Sequence, residues 1–136
     1  MLTSIIVHER IADWYPRLRP RLAGEAAVRW VESRSTGDLT RAVLGGDGGR
    51  IVLLNLAGRT YWGMEGLETL SGVEHDALIL VLDPDRVPEV PTLAREFGAT
   101  LVWSGVVVPP RVETLLRRWL PLAAARSRAP IIAPDA

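Results

Sequence analysis

The side chains of this chain that could do chemistry gather at the ends of short apolar runs. His8-Glu9 closes the run 4–8, Asn55 follows 51–54, and Asp83 with Asp85 follows 77–82. Histidine and carboxylates brought to one edge could hold a metal ion or share acid–base work. The plainer reading is that acids at strand ends cap helices or face water. His75, between Glu74 and Asp76, reads as a solvated loop residue. Asn55 is limited by its chemistry: an amide oxygen is a poor nucleophile towards phosphorus and carries no charge to recruit a hard cation. The glycine run 45–49 invites a phosphate-loop reading, but it follows a helical pattern and opens a strand, the reverse of what such loops do, and it lacks their closing Lys and Ser/Thr. It reads as a flexible connection.

These residues need a scaffold, and the apolar runs supply it. Residues 51–54 are Ile-Val-Leu-Leu, too short for a helix and bounded by glycines, the pattern of a strand buried on both faces. Runs 4–8, 26–32, 77–82 and 100–103 read as four more strands. Helical patterns lie between them. The first starts at an Asp13 N-cap and is made irregular by Pro16 and Pro20; the second covers 36–44, beginning at Asp38. The third spans 65–71 after an aromatic loop at 59–66, and the fourth runs from Pro91 to Phe97. The fifth starts at Pro110, with Pro121 kinking or shortening it. Strands alternating with helices predict an α/β fold: a flavodoxin-like three-layer sandwich, its five-stranded parallel sheet ordered 2-1-3-4-5 with helices on both faces. That order sets the ends of strands 1, 3 and 4 side by side. One domain over 1–126 and a flexible tail over 127–136 are expected.

Composition excludes several function classes. The 136 residues carry no net formal charge, so nothing argues for nucleic acid or an anionic membrane as partner. All 16 basic residues are arginine. The chain has no cysteine, hence no thiolate nucleophile or zinc–thiolate site. Nothing reaches the roughly 18 apolar residues of a membrane span, and a cytoplasmic location is the expectation. Trp14, Trp30, Trp103 and Trp119 read as packing residues. Tyr61 and Trp62, in the expected loop, read as a partner-binding anchor or a lid over the strand ends.

Order and spacing together resemble the response-regulator receiver (CheY-like) domains of two-component signalling, over residues 3 to about 122. The residues carrying the resemblance are Ile51-Val-Leu-Leu-Asn-Leu56 with Gly63-Met-Glu-Gly-Leu-Glu-Thr-Leu70, similar to the phosphoacceptor strand and the turn after it, and Gly98-Ala99 before the fifth strand. Carried over position by position, the resemblance implies a degenerate phosphoacceptor pocket. Of the two magnesium-holding acids only the second, Glu9, is acidic, the first being His8. The phosphoacceptor falls on Asn55, the phosphate-reading hydroxyl on Asp83, the lysine on Gly105, and the switch aromatic on Val102, beside Trp103. Arg59 or Arg86 could stand in for the missing lysine, while Asp83 would repel a phosphoryl group.

The expectation is a non-catalytic, phosphorylation-independent pseudo-receiver, a protein–protein interaction or regulatory module in signalling. It is not expected to be an enzyme and needs no cofactor and no metal. Its partner is expected to be another protein or a second copy, reached through Tyr61 and Trp62 or through Arg111, Arg117 and Arg118 with Leu120 and Leu122. The alternative is a small-ligand or metal sensor using the crevice at the ends of strands 1, 3 and 4, with Glu9, Asp83 and Arg59 as contacts.

Overall fold

The computed structural model describes residues 1–128. Five strands form one parallel sheet: β1 (Thr3–His8), β2 (Val28–Ser33), β3 (Arg50–Asn55), β4 (Leu78–Asp83) and β5 (Leu101–Ser104), in the order β2-β1-β3-β4-β5. Between them run α1 (Trp14–Leu18) with a 3-10 turn at Pro20–Leu22, α2 (Thr36–Leu44), α3 (Thr60–Ser71) and α4 (Val90–Glu96). α5 (Pro109–Arg128) follows β5. The expected order and layering are those observed.

Alternation along the central strands builds the two cores, because successive side chains point to opposite faces. Ile5, Val7, Ile51, Leu53 and Leu80 pack against Trp14, Leu18, Leu116 and Trp119 of α1 and α5. Ile6, Val52, Leu54, Ile79 and Val81 meet Leu39, Val43, Leu67, Leu70 and Ala94 of α2, α3 and α4. Every residue of β1 and β4 is buried, as both flanks of a parallel sheet require.

Several boundaries differ from the sequence expectation. β2 starts at Val28 and runs to Ser33, and α2 starts at Thr36 because Ser35 is its N-cap, its hydroxyl accepting from the Asp38 amide. The expected loop 59–66 is instead the first half of α3. Two glycines within four residues weaken a helix by about 1 kcal/mol each, which hides this start. Here they let the helix sit close to the sheet: a Cβ at Gly63 would run into the Leu56 side chain. Pro121 does not shorten α5; its ring lies on the exposed side while Trp119 and Ala123 stay buried on either side of it. Residues 127 and 128, assigned to the tail from sequence, end this helix, and the rest of the expected tail lies outside the described residues.

The glycine run is less loose than its composition implies. Gly48 and Gly49 are buried, and a Cβ at Gly49 would stand 2.6 Å from the backbone carbonyl of Ala123 in α5. Absence of a side chain lets α5 lie directly against the start of β3. Gly49→Ala must push two backbones apart and is expected to lower stability by about 1–3 kcal/mol in urea unfolding; a neutral change would contradict this packing.

Candidate functional site

The carboxyl ends of β1, β3 and β4 lie side by side, with His8 opposite Leu54 and Asn55 opposite Leu82. Glu9 leaves β1 almost fully buried and turns towards α1. Its Oε2 accepts from the Asp13 and Tyr15 amides at 3.0 and 3.1 Å, and its Oε1 from the Trp14 amide at 3.0 Å. Glu9 therefore caps α1, the role the sequence assigned to Asp13. The Asp13 side chain makes no cap bond and pairs with Arg17 at 3.0 Å. A carboxylate here also meets the positive end of the helix. The Asn55 amide gives Glu9 its fourth donor, Nδ2 to Oε1 at 3.1 Å, while Asn55 Oδ1 accepts from the Ala57 amide at 3.0 Å. Neither polar group of Asn55 is left idle.

His8 points the other way, into the α2/α3 layer. It is fully buried and stacks on Trp62 with ring centroids 4.3 Å apart and planes 7° from parallel. Nδ1 lies 2.8 Å from Ser33 Oγ, whose hydroxyl donates to the Ser35 carbonyl. With that hydrogen committed, Ser33 can only accept, so Nδ1 carries the proton and Nε2 a bare lone pair. Nε2 has no hydrogen-bond partner, and a Cβ at Gly66 would lie 2.9 Å from it. Burial drives the imidazole pKa from 6.5 down to about 4, against a small opposing pull from Asp38. Trp62 is thus half-buried against a strand-end histidine, while its neighbour Tyr61 stands 88% exposed.

Asp83 is fully buried at the end of β4; its Oδ2 accepts from the Val87 amide at 2.9 Å and its Oδ1 has no partner. Burial, with Asp85 adding repulsion, raises its pKa over the backbone bonds that lower it. Asp85 instead accepts from the Gly58 amide at 2.8 Å, tying the β4 and β3 loops together. The four groups that could have shared a metal are thus committed separately, and among the described residues no three His, Asp or Glu side chains meet in a metal-binding group.

Gly105, the position that the sequence resemblance set against a lysine, has φ +92°, and a Cβ there would lie 2.7 Å from the Arg86 guanidinium. Arg86 itself takes φ 52°, a conformation non-glycine residues seldom adopt. Its guanidinium fills the space a longer side chain at 105 would need. Arg59 stands elsewhere, at the lip of a cleft of about 490 Å³ above Asn55, with Arg10, Asp13 and Gly58. Of the arginines on α5, Arg111 lies 4.2 Å over the Trp103 ring. Arg117 is bound within the chain to Glu25, Glu113 and the Arg21 carbonyl. Arg118 is exposed and in no ion pair among the described residues. Sequence reasoning missed Ser33, Gly66 and the seat of Arg86. The Gly-x-x-Gly spacing in α3 was the one available signal for a close helix approach.

No family model matches the chain, and no curated protein matches its sequence. Solved structures do match its fold. A response regulator receiver protein from Pseudoalteromonas atlantica superposes with a TM-score of 0.70 at 17% identity, covering 88% of this chain and 98% of its own. A CheY-like response regulator receiver domain protein from Methanospirillum hungatei JF-1 gives 0.66 at 12%, covering 89% and 96%. A response regulator from Burkholderia pseudomallei, solved with a phosphorylated aspartic acid, calcium ion and citrate, gives 0.65 at 15%, covering 96% of this chain and 77% of its own. The fold is that of the CheY-like receiver domains.

Two predictions follow from the committed side chains. Asn55→Asp sets a second carboxylate against buried Glu9 and removes its fourth donor; thermal and urea unfolding are expected to show a loss of about 2–4 kcal/mol at pH 7, shrinking as the pH falls. Equal stability would contradict the Glu9–Asn55 contact. Because the folded pKa of His8 lies below its unfolded value, the neutral histidine's contribution is complete above pH 6.5 and is lost as the pH falls from 6.5 towards 4. That loss is at most about 3.5 kcal/mol. His8→Phe should flatten this part of the stability–pH curve; an unchanged slope would refute a buried neutral His8.

Proposed function

We propose that the chain is a receiver-like signalling module that works by binding, without aspartyl phosphorylation and without a catalytic step of its own. The observation that carries this reading is the closed bond set of Glu9 and Asn55. The acid matched to the cation-holding position has both oxygens occupied by four N–H donors, and the residue matched to the phosphoacceptor is an amide that gives one N–H to that acid while its oxygen accepts from the Ala57 amide. Phosphoryl transfer relies on positive charge around the equatorial oxygens, whereas buried Asp83 presents an oxygen with no partner. The receiver domains that share this fold supply the signalling context, and the Burkholderia pseudomallei neighbour, with its phosphorylated aspartic acid, marks the chemistry for which this chain lacks the nucleophile.

Intact-mass spectrometry after incubation with acetyl phosphate and Mg²⁺ tests the reading. No phosphoryl adduct is expected; a stable one would overturn it. The cleft lined by Arg10, Asp13, Asn55 and Arg59 favours the second reading, a small-ligand sensor. Thermal shift against nucleotides and divalent metals separates the two: a saturable rise with one compound supports the sensor, and no rise leaves the binding module.

A further inference from the structure

Between α3 and α4 runs a groove of about 290 Å³ that none of the receiver-pocket positions enters. Met64, Val90, Leu93 and Phe97 form its apolar floor, and Leu93 is 40% exposed there. Tyr61, in the first turn of α3, is 88% exposed at one end. A rigid aromatic ring beside an apolar slot is a common anchor of protein interfaces. The volume is at the bottom of the range of about 300–1,000 Å³ usual for small-molecule sites, and fits a pair of apolar side chains better than a cofactor. From Thr60 to Glu68 the α3 wall is about 12 Å long, enough to hold two turns of a helix.

The rim decides what can lie there. Glu65, Glu68 and Glu89 all line the groove and are exposed, and none enters an ion pair among the described residues. Elsewhere Asp13, Glu25, Glu32, Asp38 and Glu113 are matched by arginines of the same chain, while Asp47, Glu74, Asp85 and Glu96 are exposed and in no ion pair among the described residues but do not flank this groove. Along the α3–α4 edge, apolar surface and three acids that enter no ion pair among the described residues lie together. Resting on the binding-module reading above, we infer that this groove docks a basic amphipathic helix of a partner protein, its apolar residues over Met64 and Leu93 and its Lys or Arg side chains facing Glu65, Glu68 and Glu89. Rim charges of this kind contribute orientation and on-rate, and the apolar floor and Tyr61 the larger share of affinity.

The test is fluorescence anisotropy with a dye-labelled amphipathic Leu/Lys helix of about four turns, a Leu/Glu helix of equal length as control, and far-UV circular dichroism to verify that each variant is folded. The Leu/Lys helix is expected to bind saturably and the control not to bind. Leu93→Asp, Tyr61→Ala and the double variant Glu65→Arg/Glu68→Arg should each weaken binding by about tenfold or more. Equal binding of the two helices, or unchanged affinity in folded variants, would overturn the proposal. So would concentration-dependent self-association that Leu93→Asp abolishes, which would give the groove to a second copy. Loss of the groove without a phosphoryl adduct removes only this proposal, whereas an adduct removes the binding-module reading itself.

Discussion

The Glu9 carboxylate, buried between the end of β1 and the start of α1, is the constraint from which the rest of this site follows. A buried carboxylate is tolerated only with its charge and lone pairs answered, and four N–H groups answer it here. Three come from the N-cap residue Asp13 and the first two residues of α1, a helix of five residues that could not stand alone and whose start is set by this acceptor. The fourth comes from Asn55. An aspartate at position 55 would have put two carboxylates in contact; an asparagine turns the same contact into a hydrogen bond. The contact between the two strand ends thus serves to anchor a helix.

The other face of β1 shows the same economy. His8 is neutral, stacked on Trp62 and approached by Gly66, so a polar side chain at the strand end acts as packing between β1 and α3. Asp83 and Asp85 each bond a loop amide, and Arg86 lies over Gly105. Polar residues that look unrelated along the chain are therefore local solutions to one problem. The strand ends are cross-tied to adjacent loops.

The sheet was legible because β1, β3 and β4 are continuous apolar runs, and such runs belong to parallel strands covered on both faces. Their carboxyl-end residues are therefore neighbours by strand order alone. Their side-chain directions are not fixed by it. His8 and Glu9 are neighbours in sequence but serve opposite faces, and Glu9 caps α1 from outside the usual N-cap position, which no local capping pattern describes. The start of α3 was hidden by Gly63 and Gly66, whose cost to the isolated helix is offset by a tertiary approach to Leu56 and His8. Arg86 over Gly105 depends on two positive-φ residues in different loops, and Arg117 reaches back to Glu25. Contacts of such separation leave no periodic trace.

The scaffold leaves two surfaces with distinct chemistry: an arginine-lined cleft above Asn55 and an acid-rimmed apolar groove between α3 and α4. Whether the strand ends are closed to phosphoryl chemistry is the claim on which their roles depend. An amide-resolved NMR titration with beryllofluoride and Mg²⁺ tests it most directly, since this phosphoryl mimic needs both a carboxylate acceptor and a cation seat. The resonances of Glu9, Asn55, Ala57, Gly58 and Asp83 are expected to stay where they are throughout. Saturable shifts of those residues, requiring both reagents, would contradict it.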